Sequence, residues 1–266
     1  MPENFRVSVS KAKTFNHCKK QYEFNYILKF PKKDRDYLTF GKVCHMVLEV
    51  FHKTYLEGCL LPYNVVMGIA WKETLTKYKD KITPVMRKEC WDLINQYLKI
   101  IYNIKNNGMP ANVIAVEKRF SLQITENILL NGAIDIVQLN PDNVLEVSDY
   151  KTTKNKEYLK NDWFQLLTYA YVILSEDPTI KIVRASYILL RHNFEHMTKD
   201  FSIDEILKIK DRYIEYVQQM ISEKEFAPTT SNLCGYCDFL EFCEEGKKEV
   251  ANSYLNSHKV FGEVGY

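Results

Sequence analysis

No run of about 18 apolar residues occurs in this chain, so it offers no membrane-spanning helix. Glycine and proline are scarce, 9 and 8 in 266 residues, and no tract rich in Gly, Pro or Ser marks a linker. Internal repeats and low-complexity segments are absent as well. No Gly-x-x-x-x-Gly-Lys-Ser/Thr loop is present, which excludes a phosphate-loop motor. Neither sign of charge dominates: 36 Lys+Arg against 34 Asp+Glu leave a net +2, so binding an anionic polymer would require a local basic patch. The opening Met1-Pro2-Glu3-Asn4-Phe5-Arg6 lacks the apolar core of a signal peptide, so an intracellular, cytoplasmic chain is expected. Seven cysteines, an odd number, do not suit a disulfide framework in that setting. What is present is ordinary globular material, 46 % apolar and 26 % charged. That excludes wholesale disorder.

Periodicity orders the chain. Ser8 is expected to cap a helix carrying Phe15, Cys18, Tyr22 and Tyr26 at helical spacing. A second helix is expected over Phe40–Tyr55, with Val43, Val47, Val50 and Phe51 on its apolar face, and two more over 63–80 and 84–106. Asn107-Gly108-Met109-Pro110 breaks the helical region. Short β-branched runs then follow at Val113–Val116, Phe120–Ile124, Ile128–Leu139 and Val144–Tyr150, with a turn at Asn140-Pro141-Asp142-Asn143. A helix at 158–175, strands at Lys181–Arg191 and Phe194–Phe201, and a helix at Ile203–Glu225 complete the pattern. The expectation is an α/β or α+β domain over 1–266, with an α-helical insertion at about 55–110.

The chemistry sits in the β-rich stretch. Asp149-Tyr150-Lys151 ends a strand, so its acid and lysine share one face. A hairpin would bring Asp135 of Gly132-Ala133-Ile134-Asp135 beside Asp149. Two adjacent carboxylates repel, and a divalent cation relieves the repulsion. A neighbouring lysine then orients or deprotonates a water and neutralises a phosphate, which suits phosphodiester hydrolysis. Taken singly, each element also fits a surface ion pair or a turn residue. Gln165 and Tyr169 lie one helical turn apart, fourteen residues downstream of Lys151. His45, in Gly41-Lys42-Val43-Cys44-His45, is a metal ligand, a phosphate contact or a satisfied histidine.

In this order, Gly-x-x-x-His, Gly-x-x-Asp, Asp-x-Lys and Gln-x-x-x-Tyr resemble the RecB-type branch of the PD-(D/E)XK nuclease superfamily. The likeness covers the chain apart from 55–110; it departs in lacking a proline beside Asp135 and in using Asp149 rather than Glu. It implies a restriction-endonuclease-like core, a mixed β-sheet flanked by helices. It also implies that His45, Asp135, Asp149 and the Tyr150 backbone carbonyl hold Mg²⁺ or Mn²⁺, and that Lys151 positions water. Gln165 and Tyr169 would support the site and contact DNA. Glu117, in Ala115-Val116-Glu117, resembles the glutamate ahead of that branch's first strand pair, a residue around the metal or at a second one.

Cys234, Cys237 and Cys243 form C-x₂-C-x₅-C within the segment 226–246, a spacing that points to metal rather than redox exchange. Cys44, Cys59 and Cys90 have no such spacing and are expected to be buried thiols. Cys18, in Phe15-Asn16-His17-Cys18-Lys19, resembles the first cysteine of RecB-type nucleases that carry a 4Fe–4S cluster, AddB and CRISPR-associated exonucleases among them. By that likeness Cys18, Cys234, Cys237 and Cys243 clamp the terminal segments through an iron–sulfur cluster. Structural zinc is the alternative, since four thiolates suit either metal.

The resemblance implies a metal-dependent exonuclease acting on single-stranded DNA or DNA ends in recombination and repair, CRISPR adaptation or phage DNA processing. With no helicase motif, unwinding falls to a helicase or CRISPR/recombination partner. The alternative is a catalytically silent or partner-dependent binding module on the same fold. Lysines 19, 20, 29, 32 and 33 with Arg35 around Tyr22, Phe24, Tyr26 and Phe30, and Lys151, Lys154, Lys156 and Lys160, are two places where a strand could run.

Overall fold

The computed structural model describes residues 4–33, 35–101, 112–140, 142 and 144–259, the last four of these as backbone. The expected breaker at 107–110, the end of the helix expected over 84–106, and Pro141 and Asn143 of the expected turn lie outside the described residues. The chain divides into two compact units.

The first unit comprises 1–33, 125–129 and 212–266. It holds β1 (Phe5–Val7), α1 (Val9–His17), α2 (Lys19–Tyr22), the end of α7 (Ile203–Ser222) and α8 (Glu244–Lys259). Ser8 caps α1 as its sequence predicts, accepting from the Lys11 N–H at 3.2 Å. The single helix expected through Tyr26 is broken. Cys18 is extended at φ −157°, α2 restarts after it, and the chain winds into a π-turn over Glu23–Ile27. Helical spacing could not reveal this break, because Phe15, Cys18, Tyr22 and Tyr26 keep their sequence spacing whether or not the helix is continuous. Tyr22 packs edge-on against Phe15 and stacks on Phe226. Phe24 packs against Phe30, Phe239 and Phe242.

The second unit comprises 34–124 and 130–211. Its helices are α3 (Asp36–Leu56), α4 (Tyr63–Tyr78), α5 (Pro84–Ile101) and α6 (Phe164–Glu176). Its strands are β2 (Val113–Thr125), β3 (Ile128–Leu139), β4 (Leu145–Lys151), β5 (Ile182–Leu189) and β6 (Glu195–Ser202). The sheet runs β3-β4-β5-β6, with β2 paired to β3. β3 and β4 are antiparallel, β4 and β5 parallel, and β5 and β6 antiparallel. This is the mixed sheet flanked by helices that the family resemblance implies. The parallel pair requires a crossover, and α6 supplies it, packing on β4 and β5.

Alternation along β4 decides what meets what. Tyr150 points into the core built by α3, α4 and α5, where Phe40, Val47 and Phe51 meet Met67, Ile94 and Leu98. The helices at 55–110 therefore share one core with the sheet. Asp149 and Lys151 point the other way, toward α6.

Two sequence expectations are revised. The runs Val113–Val116 and Phe120–Ile124 form one strand, along which Val116, Phe120 and Ile124 are buried. Glu117, at φ +43°, sits between the two runs, in the left-handed region that an L-residue adopts only under strain. The helix expected from 158 begins only at Phe164. A 3₁₀ turn at Glu157–Leu159 precedes it, and Trp163 donates from Nε1 to the Lys160 carbonyl at 3.0 Å.

Gly132 leaves room for Phe120: a Cβ here would stand 2.5 Å from the ring's Cζ. The ring is buried and meets the Tyr169 ring edge-on at 6.5 Å, so it cannot swing clear. Gly132→Val is expected to destabilise the protein by about 1–3 kcal/mol in urea unfolding, and Phe120→Leu to recover part of the loss. An unchanged midpoint would show that the ring yields freely.

Candidate active site

The β3–β4 register pairs Ile136 with Ser148, and one further step sets Asp135 opposite Asp149. Asp135 Oδ2 accepts from the Tyr150 N–H at 3.1 Å and lies 3.1 Å from His45 Nδ1. His45 projects from α3, and its Nε2 is 2.8 Å from the Tyr150 carbonyl oxygen. Gly41 lies one turn earlier on α3. A Cβ there would stand 3.3 Å from Thr152 Oγ1, so a side chain at this position would crowd the Thr152 hydroxyl just past β4.

With an acceptor at each nitrogen, the His45 ring is held as the doubly protonated imidazolium. Burial pulls its pKa down, but the Asp135 carboxylate outweighs burial and raises it to about 9. The same contact holds Asp135 below the usual carboxylate range, against its own burial. Ligand atoms of His45, Glu117 and Asp135 all lie within 4.8 Å of one another. Burial, then Asp135 and Glu49, push the Glu117 carboxyl up. A cluster whose acids repel in this way and whose histidine stands in as a cation has the donor set for a divalent metal.

Asp149 and Lys151 are engaged with each other. Lys151 Nζ is 2.5 Å from Asp149 Oδ2 and donates to Gln165 Oε1 at 3.1 Å. Gln165 Nε2 donates to Asp149 Oδ1 at 2.7 Å and to Tyr169 Oη at 2.8 Å. Both amide hydrogens and the amide oxygen are thus assigned, which fixes the Gln165 rotamer. The late start of α6 puts Gln165 in its first turn, where the helix dipole favours the Asp149 anion. Burial favours the neutral amine of Lys151, but Asp149 and then Asp135 outweigh it and raise its pKa. Lys151 is therefore an ammonium at neutral pH.

The structure brings His45, Glu117, Asp135 and the Tyr150 carbonyl into one group, and Asp149, Lys151, Gln165 and Tyr169 into another, on adjoining strands. Sequence reading missed two neighbours. Tyr187, paired with Asp149 across β4 and β5, carries Lys151 Nζ 5.2 Å from its ring centre. Glu49, one turn beyond His45 on α3, lines the cavity at the metal cluster, a position its i,i+4 spacing could have signalled.

The basic segments singled out in the sequence are largely committed. Lys19, Lys20 and Lys33 pair with Glu223, Glu23 and Glu241. Lys156 pairs with Glu195 and Lys160 with Glu157. Tyr22 and Phe24 are buried, so neither offers a ring face for stacking.

Cys18, Cys234, Cys237 and Cys243, all in the first unit, line one cavity. Each sulfur accepts a backbone N–H. Thr229 donates to Cys18 at 3.5 Å, Ser231 to Cys234 at 3.4 Å and Gly246 to Cys243 at 3.4 Å. Phe239 donates to Cys237, whose thiol is nonetheless pushed up by burial and by the neighbouring Cys18. Cys44 and Cys90 are buried with their sulfurs 3.0 Å apart, whereas Cys59 is partly exposed in the turn after α3, accepting from the Leu61 N–H. The expectation of a buried thiol therefore fails for Cys59, because a surface turn holds it.

A mixed sheet flanked by helices, with a His/Glu/Asp cluster able to coordinate a divalent cation at the end of its central strands, is the framework of a nuclease-type metal site. The chain belongs to the PD-(D/E)XK nuclease superfamily, whose sequence profile matches residues 6–244. It is similar to the B subunit of the ATP-dependent helicase/deoxyribonuclease of Streptococcus agalactiae, in serotype Ia and in serotype V. Each is 23 % identical over 232 residues, covering 83 % of this chain and 21 % of the relative. This chain thus spans about a fifth of the length of those relatives. Among solved structures, a candidate exonuclease from Eubacterium rectale shares the fold, with a TM-score of 0.51 and 12 % identity. The match covers 87 % of this chain and 86 % of that one.

Proposed function

We propose that this chain is a divalent-metal-dependent deoxyribonuclease of the RecB type, an exonuclease acting on single-stranded DNA or DNA ends in the cytoplasm. The observation that carries the reading is the junction, where β3 meets β4, of two groups: the His45–Glu117–Asp135 cluster and the Asp149–Lys151–Gln165 network. The relatives' designation as part of a helicase/deoxyribonuclease supports DNA as substrate and a helicase or recombination partner.

In this reading His45, Asp135, Asp149 and the Tyr150 carbonyl hold Mg²⁺ or Mn²⁺, with Glu117 beside them. The bound cation supplies Lewis-acid stabilisation of the charge that builds on the phosphate. Asp149 Oδ2 is buried and makes no well-directed hydrogen bond beyond its contact with Lys151, so it retains a lone pair for such a cation. Lys151 stays protonated and donates to a non-bridging phosphate oxygen, rather than serving as the base. Gln165 fixes where that ammonium points, and Tyr169 fixes Gln165. Cys18, Cys234, Cys237 and Cys243 hold a 4Fe–4S cluster, supported by four N–H···S bonds of the kind that stabilise thiolate ligands. The test is cleavage of end-labelled single- and double-stranded DNA with Mg²⁺, Mn²⁺ or EDTA: a metal-dependent ladder growing from one end supports the reading, and intact substrate in every lane overturns it.

A pH dependence follows. The folded pKa of His45, about 9, stands above the ordinary histidine value. In the metal-free protein its stabilising contribution is fully present below pH ~6.5 and is lost as pH rises toward 9. A metal ligand must give up its proton, so affinity for Mn²⁺ should rise with pH up to about 9, by roughly tenfold per unit. Calorimetry in buffers of differing ionisation enthalpy should register about one proton released per ion at pH 7. Equal affinity at pH 6.5 and 8.5 would mean that His45 is not a ligand.

A further inference from the structure

We propose that Lys77 and Tyr78 at the end of α4, together with Lys42 on α3, form the subsite that holds the DNA strand flanking the scissile phosphate. The inference rests on the nuclease reading and gives the helical region at 55–110 a function.

A cavity of about 360 Å³ is lined by His45, Glu49 and Glu117 and also by Lys42, Lys77 and Tyr78. The helices packed on α3 thus reach the same space as the metal cluster. That space is rich in carboxylates, and a phosphodiester approaching it meets repulsion unless cations lie on its path. Most nearby cations are engaged. Lys53 is paired with Glu49 at 2.5 Å, and Lys151 is held by Asp149 and Gln165. Lys42 and Lys77 are exposed and, among the described residues, have no carboxylate within ion-pair distance. They are the ammonium groups available to a phosphate here.

Tyr78 supplies the second component of strand binding. Its ring is half-buried, packed against the α3–α5 core on one side and lining the cavity on the other. Lys77 Nζ lies 5.5 Å from its ring centre. Trp71 and Lys72 of the same helix, with Lys79 just past its end, line a second cavity of about 420 Å³. Trp71 lies seven residues before Tyr78, about 10 Å along the axis. A flat ring beside an ammonium, with a second lysine- and tryptophan-lined cavity along the same helix, suits a strand of bases and phosphates rather than a small anion.

The test uses the full chain and a fluorescein-labelled single-stranded oligonucleotide, with anisotropy in Ca²⁺ and steady-state cleavage in Mn²⁺. The double variant Lys42→Ala/Lys77→Ala should raise Kd roughly tenfold. Its effect on cleavage should fall on KM more than on kcat, and its log–log salt slope should be shallower by about 1.4, two phosphate contacts on a single strand. Lys77→Arg should restore most of its own share. Both lysines are exposed, so the melting temperature should hold. If the variant binds with wild-type Kd and slope, or cuts with wild-type KM while the wild type is active, the subsite is wrong and the nuclease reading stands. If the wild type binds and the variant shows the predicted losses, yet neither cuts DNA with any metal, the subsite stands and the nuclease reading fails. A wild type that does not bind the oligonucleotide overturns the subsite.

Discussion

Asp135→Asn is expected to lower DNA cleavage by about 10³-fold or more while leaving the fold intact. The amide is nearly isosteric and can still accept the Tyr150 N–H, so the β3–β4 junction survives. What is lost is the charge that faces His45 and would face the cation. Two readouts separate this from unfolding: the far-ultraviolet spectrum should match wild type, and the rise in melting temperature on adding Mn²⁺ should shrink or vanish. His45 should also titrate nearer its ordinary value, because the neighbour that raises its pKa is gone. A variant that keeps wild-type cleavage would place the metal elsewhere.

Cys18→Ser is expected to have the largest effect on stability. Cys18 and Cys234 are separated by more than 200 residues of chain, a loop that the proposed shared cluster would close. By analogy with a covalent cross-link, its loss should cost roughly 5 kcal/mol of unfolding free energy. Anaerobically purified wild type should show the broad visible absorption of an iron–sulfur centre, and the variant should lack it. Limited proteolysis should then cut within residues 226–246, which the wild type protects. Zinc in place of iron would leave the stability loss but no visible band in either protein. An unchanged melting temperature and cutting pattern would show that Cys18 clamps nothing.

Much of this was legible in the sequence because two periods are hard to disguise. β3 and β5, with alternating or buried β-branched residues, and α3, with Val43, Val47 and Phe51 on one face, lie close to where periodicity places them. The same-face relation of Asp149 and Lys151 follows from the strand period alone. What stayed hidden depends on tertiary contact. The extended Cys18 interrupts a segment whose local preferences are helical. The left-handed Glu117 lies inside one continuous strand where two were expected. Strain of that kind is sustained by surrounding structure and leaves no compositional trace. The site shows the same division. The motif residues could be named, but their partition could not: Glu117 falls with His45 and Asp135, while Asp149 turns to Lys151 and Gln165. Lys77 and Tyr78 escaped notice because the helices of 55–110 carry no motif, and only packing on α3 brings them to the cavity.

The central claim is tested most directly by incubating the intact, anaerobically purified protein with end-labelled DNA in Mg²⁺, Mn²⁺ or EDTA, alongside Lys151→Ala. The account predicts cleavage that requires the metal and disappears in the variant, because in the proposed reading the ammonium held by Asp149 and Gln165 would donate to the phosphate. Cleavage of equal rate in the variant, or none by wild type on any substrate with either metal, would contradict it.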